Sequence, residues 1–419
     1  MHWGRILIAS VGLAGLSACS AEVDRNEDEL AVAQTELREA PVARNFGDPL
    51  PNLAPALSQR FQSGLTLFST VLQSEDGVGY AFSGVPGCFI CHGQPAIGGS
   101  SGVTQVRFGL LAEDGSFDPL LAEGGPTQQF GGQVAPGTQG CPASAPIPFE
   151  SIPSDANVVV SRHSPALFGL GLVEAIPDDA LELLARLQRT NRDGVHGRVN
   201  HVIDATSGKT RAGRFGLKAQ TVTLSEFVSA ALLNELGVTS ALFPQENCPG
   251  GDCTFAACDG VPDPDMSRAR VSAFVDFVRL LSPPPPRTRT TAARNGERLF
   301  HQIGCATCHV PTQITGPSSV KQLDHVAFHP YSDFLIHDMG PSNLGSADMT
   351  TQGEARAQFV RTTPLWGANS AAELFHDGRG GDVPGAVFWH GGEAQVARDR
   401  FMTLSADDQA AVAEFVLSL

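Results

Sequence analysis

Aromatic side chains are scarce in this 419-residue chain: they make up 7% of it, with 3 tryptophans and 2 tyrosines. Charge is also scarce, at 17%, and basic residues are outnumbered 28 to 44, giving a net charge of −16. So negative a surface makes anionic nucleic acid a poor partner and a basic protein a better one, the alternative being that the charge serves only solubility. Apolar runs are short. Ile6 to Ala18 is 13 residues long, whereas a helix needs about 20 to span a bilayer. The 42% hydrophobic content still excludes global disorder. Gly (45) and Pro (29) are abundant, so much of the chain is expected as loop.

The N-terminus reads as an export signal, with Arg5 ahead of the apolar run. It ends in Leu16-Ser17-Ala18-Cys19, which resembles the bacterial lipobox, whose cysteine is lipidated. The alternative is an ordinary signal peptide with an incidental cysteine. Ser20 after the cysteine favours the outer membrane over retention at the inner one. The expectation is a lipoprotein on the periplasmic side of the outer membrane, held through a lipid on Cys19, or a periplasmic protein. Residues 20–45 carry few large apolar groups and read as a flexible acidic tether.

Two segments carry the chemistry. Cys88-Phe89-Ile90-Cys91-His92 and Cys305-Ala306-Thr307-Cys308-His309 both fit the Cys-x-x-Cys-His signature of haem c attachment. The two cysteines meet the two vinyl groups and the adjacent histidine reaches the iron. A redox dithiol or half a zinc site would need no following histidine, nor its duplication in an exported chain. The expected cofactors are two covalently bound haem c groups, with His92 and His309 as iron ligands. Of the remaining cysteines, Cys141, Cys248, Cys253 and Cys258 are even in number and suit two disulfides in an oxidising compartment. Three pairings are open, and a zinc site is the weaker alternative.

For the sixth ligand of the second haem, Met339 is the leading candidate, with His337 competing; Met266, Met349 and Met402 are less suited. No comparable methionine follows the first motif. Its haem is expected to have a different ligand, such as His163, His196 or His201, or an open position.

Helical periodicity marks Ser58–Leu72, Asp178–Leu187, Leu224–Leu236, Met266–Leu281, Ala292–Ile303 and Ser405–Leu419. Pro283 to Pro286 cannot continue a helix. The expected organisation is a first haem domain over 46–282, a proline-rich linker over 283–290 and a second haem domain over 291–419. The expected fold class is mainly α with long loops, in two cytochrome c-like domains, the first expanded by insertions. Arg162-His163-Ser164-Pro165-Ala166-Leu167 is echoed by Arg361-Thr362-Thr363-Pro364-Leu365, as two related units would require.

The chain resembles the dihaem oxidoreductase family of peroxidase relatives, some labelled thiol oxidoreductases, which are related to bacterial dihaem cytochrome c peroxidases. The resemblance lies in Ser164 to Pro177, Gly213 to Ala219, Thr239 to Pro244, Tyr331 to Gly340, Thr363 to Gly367, Phe375 to Arg379 and Trp389 to Ala394. It implies one haem that accepts electrons, at His309 and Met339, and one that meets a small substrate such as hydrogen peroxide, at His92. It also implies a small cytochrome c or other soluble donor as partner. A peroxidase needs an acid–base group near the peroxide, and Glu174 and Glu393 are the candidates. Arg162, Arg198, Arg214 and Arg361 are candidates for haem propionates, and Trp366 for a position between the haems. A segment like the peroxidases' Phe-Trp-Asp-Gly-Arg occurs at Phe375–Arg379, in the second domain. The alternatives are a non-catalytic electron-transfer protein and an oxidase of thiols or organic substrates on the same scaffold.

Overall fold

The computed structural model describes residues 37–79, 86–133, 146–147, 149–256, 258, 260–341 and 349–419. The leader, Cys19, residues 20–36 of the tether, and Cys141 lie outside the described residues. Arg38–Leu419 pack as one compact unit.

The helices follow the local signals closely. In chain order they are α1 (Pro55–Phe68), α2 (Cys88–Cys91), α3 (Leu170–Glu174), α4 (Asp178–Gln188), α5 (Leu224–Leu236), α6 (Arg268–Leu280), α7 (Thr291–Ile303), α8 (Val383–Phe388), α9 (Gln395–Met402) and α10 (Ala406–Val416). Capping sets several boundaries. Thr223, Ser267, Thr290 and Ser405 each accept a hydrogen bond from a backbone N–H of the first turn. Gly237 and Gly304 end α5 and α7 in the left-handed conformation. Helix α1 starts at Pro55, a favoured first position, and so begins and ends earlier than the expected 58–72.

The fold is not mainly α. It is mixed, 35% helical and 13% strand. Thr104–Leu111 pairs antiparallel with Val158–His163, from Thr104 opposite His163 to Gly109 opposite Val158. Phe117–Asp118 pairs on the other edge. Both long strands lie between the first motif and α3, in a stretch for which the sequence reading marked no regular element. Their cross-strand partners lie between 49 (109 and 158) and 59 (104 and 163) residues apart, beyond the reach of any local pattern.

Two helix crossings frame the motifs. α1, which precedes the first motif, crosses α6, and α7, which precedes the second, crosses α10. Each crossing closes over a glycine. A Cβ on Gly64 would collide with the carbonyl oxygen of Ala273, and one on Gly296 with that of Ala411. The two glycines share a pattern, Gly64-Leu65-Thr66-Leu67-Phe68 and Gly296-Glu297-Arg298-Leu299-Phe300. Phe68 lies 6.2 Å from His92 and Phe300 6.2 Å from His309, ring centre to ring centre. The internal repeat is thus sharper here than in the Arg-to-Leu echo. Gly296→Ala should lower stability by about 1–3 kcal/mol by prising α7 from α10, read as a lower midpoint of urea unfolding; an unchanged midpoint would refute the close-packed crossing.

The buried apolar residues form two main clusters. One gathers Phe61, Phe68, Phe274 and Phe277 with Val320, Leu323, Phe328 and Phe334 from beyond the proline segment. The other gathers Leu299, Phe300, Tyr331, Phe401, Val412 and Phe415. Pro283 and Pro284 are buried rather than held out in solvent. Cys248 and Cys253 form a disulfide, and Cys258 is disulfide-bonded too.

Candidate functional site

Each motif is a single helical turn. His92 N–H donates to Cys88 O at 2.9 Å, and His309 N–H donates to Cys305 O at 3.0 Å. Residues three apart on a turn share a face, so each cysteine pair is presented together. None of the four is in a disulfide. Burial pushes the thiols of Cys88 and Cys305 up to about 12 and that of Cys91 up to about 11. These are the opposite of the lowered thiols that make redox dithiols reactive.

The two histidines are oriented alike. His92 Nδ1 meets the Gly99 carbonyl at 3.2 Å, and His309 Nδ1 meets that of Tyr331 at 3.0 Å. A carbonyl acceptor fixes the proton on Nδ1 and leaves the Nε2 lone pair for a metal. Burial lowers both rings, and His390 alongside helps to take His309 to about 4. Both are therefore neutral near pH 7, as a ligand must be.

Both motifs line one cavity of about 760 Å³ with largely apolar walls. Its apolar lining suits the flat apolar ring of the haem groups that the motifs imply. Arg361 offers a second test of fit. Its guanidinium is half-buried in the cavity wall, and among the described residues it donates to the carbonyls of Gly216 and Thr362. Burial lowers it to about 10, with Asp333 opposing from a distance. A cation so placed suits the carboxylate of a haem propionate. Arg162 also lines the cavity and donates to Thr350 Oγ1 at 2.7 Å. Arg214 lines it too, but pairs with Asp178. Arg198 lies over the Phe359 ring, outside the cavity wall. Trp366 stands in the wall shared by both motifs and packs on Phe328.

The sequence-predicted acids take different places. Glu174 is outside the cavity wall. Its oxygens accept from Arg279 at 2.6 and 3.0 Å and from the Leu224 N–H at the start of α5. Glu393 is in the wall, but its carboxylate accepts from His337 Nδ1 at 2.8 Å and the His196 N–H at 2.9 Å. Burial raises it, and the His337 bond outweighs that and holds it below the ordinary range. His337 Nε2 meets buried Asp333 at 3.0 Å, so both ring nitrogens are taken and His337 has none for iron.

Met339 lines the cavity, whereas Met266, Met349 and Met402 do not. His163 lines it; His196 and His201 do not, the latter bridging Glu182 and Glu354. The Phe375–Arg379 segment docks on the strand carrying His163, whose N–H donates to His376 O at 2.8 Å. A segment from the second half of the chain therefore reaches the first-motif side of the cavity.

Two wall residues escaped the sequence reading. Glu235, near the end of α5, accepts from Gln105 Nε2, and Arg107 Nε donates to Gln105 Oε1 at 3.2 Å. Burial, opposed by Arg107 and Gln105, pushes Glu235 up to about 7. It lies near enough to Cys88 and Cys91 to add to the effect of burial on their thiols. His390 lies 6.5 Å from His309, ring centre to ring centre. The signal for Glu235 was an acid set among Leu232, Leu233 and Leu236 at the end of α5, and for His390 a histidine inside the Trp389–Ala394 match.

No curated protein matches the chain. Among solved structures, hydrazine synthase from Kuenenia stuttgartiensis is 13% identical, covering 99% of this chain and 100% of that one with a TM-score of 0.40. A MauG-like protein associated with microbial copper homeostasis is 13% identical, covering 90% and 94% with a TM-score of 0.38. The family described as "Di-haem oxidoreductase, putative peroxidase" matches residues 151–419, well over half the chain. The chain thus belongs to the di-haem oxidoreductase family.

Proposed function

We propose that this is an exported dihaem c-type cytochrome that reduces a small peroxide, receiving electrons at the His309 site and using them at the His92 site. The observation that carries the reading is Glu235, a carboxyl raised to about 7 in the wall of the cavity that holds Cys88, Cys91 and His92. A group that titrates near the working pH can both take and return a proton. Bound haem c would supply one-electron carriage at each site and an iron at which a peroxide can be reduced.

The protein's own residues supply the rest. Cys88, Cys91, Cys305 and Cys308 hold the groups, and His92 and His309 orient them. Arg361 neutralises a propionate. Glu235 takes a proton from one peroxide oxygen and delivers it to the other, which leaves as water. Hydrogen peroxide, two electrons and two protons give two water molecules. The electrons come singly from a small basic cytochrome c or another soluble donor, matched to the net charge of −16. The site of action is periplasmic, with a lipid on Cys19 as the outer-membrane anchor.

The test is steady-state oxidation of a reduced small cytochrome by hydrogen peroxide, with spin resonance of the oxidised and half-reduced protein. Turnover with a high-spin haem in either state supports the reading. Two low-spin haems in every state and no turnover would overturn it in favour of electron transfer alone.

A further inference from the structure

We infer that His390 is the second axial ligand of the haem attached at Cys305 and Cys308, which is therefore a bis-histidine centre facing His309. The inference rests on the haem c reading above. His390 shares with His92 and His309 the device that prepares a ligand. Its Nδ1 meets the carbonyl of Ala386, a residue of α8, at 2.8 Å, which leaves Nε2 for the cavity that all three histidines line.

The separation from His309 fits. A metal–imidazole bond of ~2 Å, with ~1 Å more from nitrogen to ring centre, places two opposed rings ~6 Å apart. The observed separation is 6.5 Å. The rings are inclined by 50°. Opposed ligands share one axis and can be rotated about it, so this inclination is compatible with a common metal.

The surroundings hold His390 in place. Gly392, at φ +51°, packs against the backbone of Asp338 and Met339 so closely that a Cβ would collide with Asp338 O. Glu393 accepts from the Asp338 N–H at 3.2 Å and from His337 Nδ1 at 2.8 Å. His337, in turn, is held by Asp333, which also accepts from Gln188 Nε2 at 2.7 Å. The Asp333–His337–Glu393 chain thus clamps the segment just after His390. This gives the carboxylate of Glu393 a positioning role, and gives His337 one in place of iron ligation.

The proposal opposes His390 to Met339, and three variants of the full-length protein decide between them. Haem c content is measured first, by the alkaline pyridine spectrum, and two per chain is expected throughout. His390→Ala should convert the second haem from low spin to high spin in spin resonance, and added imidazole should restore the low-spin signal. His390→Met should stay low spin, raise the reduction potential of that haem and introduce the absorption band of a methionine–iron bond. Met339→Leu should leave the wild-type spectrum unchanged. The inference is overturned if Met339→Leu loses the low-spin signal, or if His390→Ala keeps it with both haems attached. A wild-type protein without covalent haem would overturn the underlying haem c reading instead.

Discussion

Replacing Cys88 and Cys91 together with alanine should halve the covalently bound haem, from two groups per chain to one. The two sites are separate turns, each built around its own cysteine pair and histidine, so losing one should spare the other. The remaining thiols of Cys305 and Cys308 are buried in the wall near α7, and the second apolar cluster forms without a contribution from the first motif. The mass of the purified protein should fall by one haem, and the surviving spectrum should be that of the His309 centre. Peroxide turnover should disappear, while reduction by a small cytochrome persists. Equal haem content in variant and wild type would sink the attachment at this motif. Persistent turnover with one haem would sink the division of labour between the sites.

Glu235→Gln should lower peroxide turnover by about 10²–10⁴-fold, the range lost with a general acid–base group. Glutamine keeps the shape and can still bond Gln105, so haem attachment and spin state should not change. The wild-type rate should rise with pH through about 7 as the carboxyl becomes able to accept a proton, and the variant should lack that limb. Stability gives an independent reading. The carboxyl moves from 4.5 to about 7 on folding, so between those values the folded chain keeps a proton that the unfolded chain has released. Stability therefore falls as pH rises across that window, and the glutamine variant should lose this slope. A variant with wild-type turnover and an unchanged thermal slope would remove Glu235 from the mechanism.

Much of the local structure was legible along the chain. Thr223, Ser267, Thr290 and Ser405 mark helix starts by side-chain caps, and Gly304 marks the end of α7, because these signals act within one turn. The strands at 104–111 and 158–163 were not legible, because each is stabilised by a partner remote in sequence. The candidate acids show the same limit. Glu174 and Glu393 stand in segments that resemble the family, yet Glu174 is tied to Arg279 and Glu393 to His337. A carboxylate's chemistry depends on what faces it, and its neighbours here come from distant parts of the chain.

The sequence by itself determined where the two Cys-x-x-Cys-His turns stand, at which the proposed haem c groups would be attached, since two cysteines and a histidine in five residues contain their own geometry. It also determined that there are two such places, each preceded by a helix. The tertiary structure decided what stands beside each motif in the shared cavity: Glu235 near Cys88 and Cys91, and His390 near His309. Attachment of a haem c would be a local covalent requirement, and one turn of backbone brings its cysteine pair and histidine together. The groups across the cavity are brought there by the packing of helices and strands that contribute nothing to attachment itself.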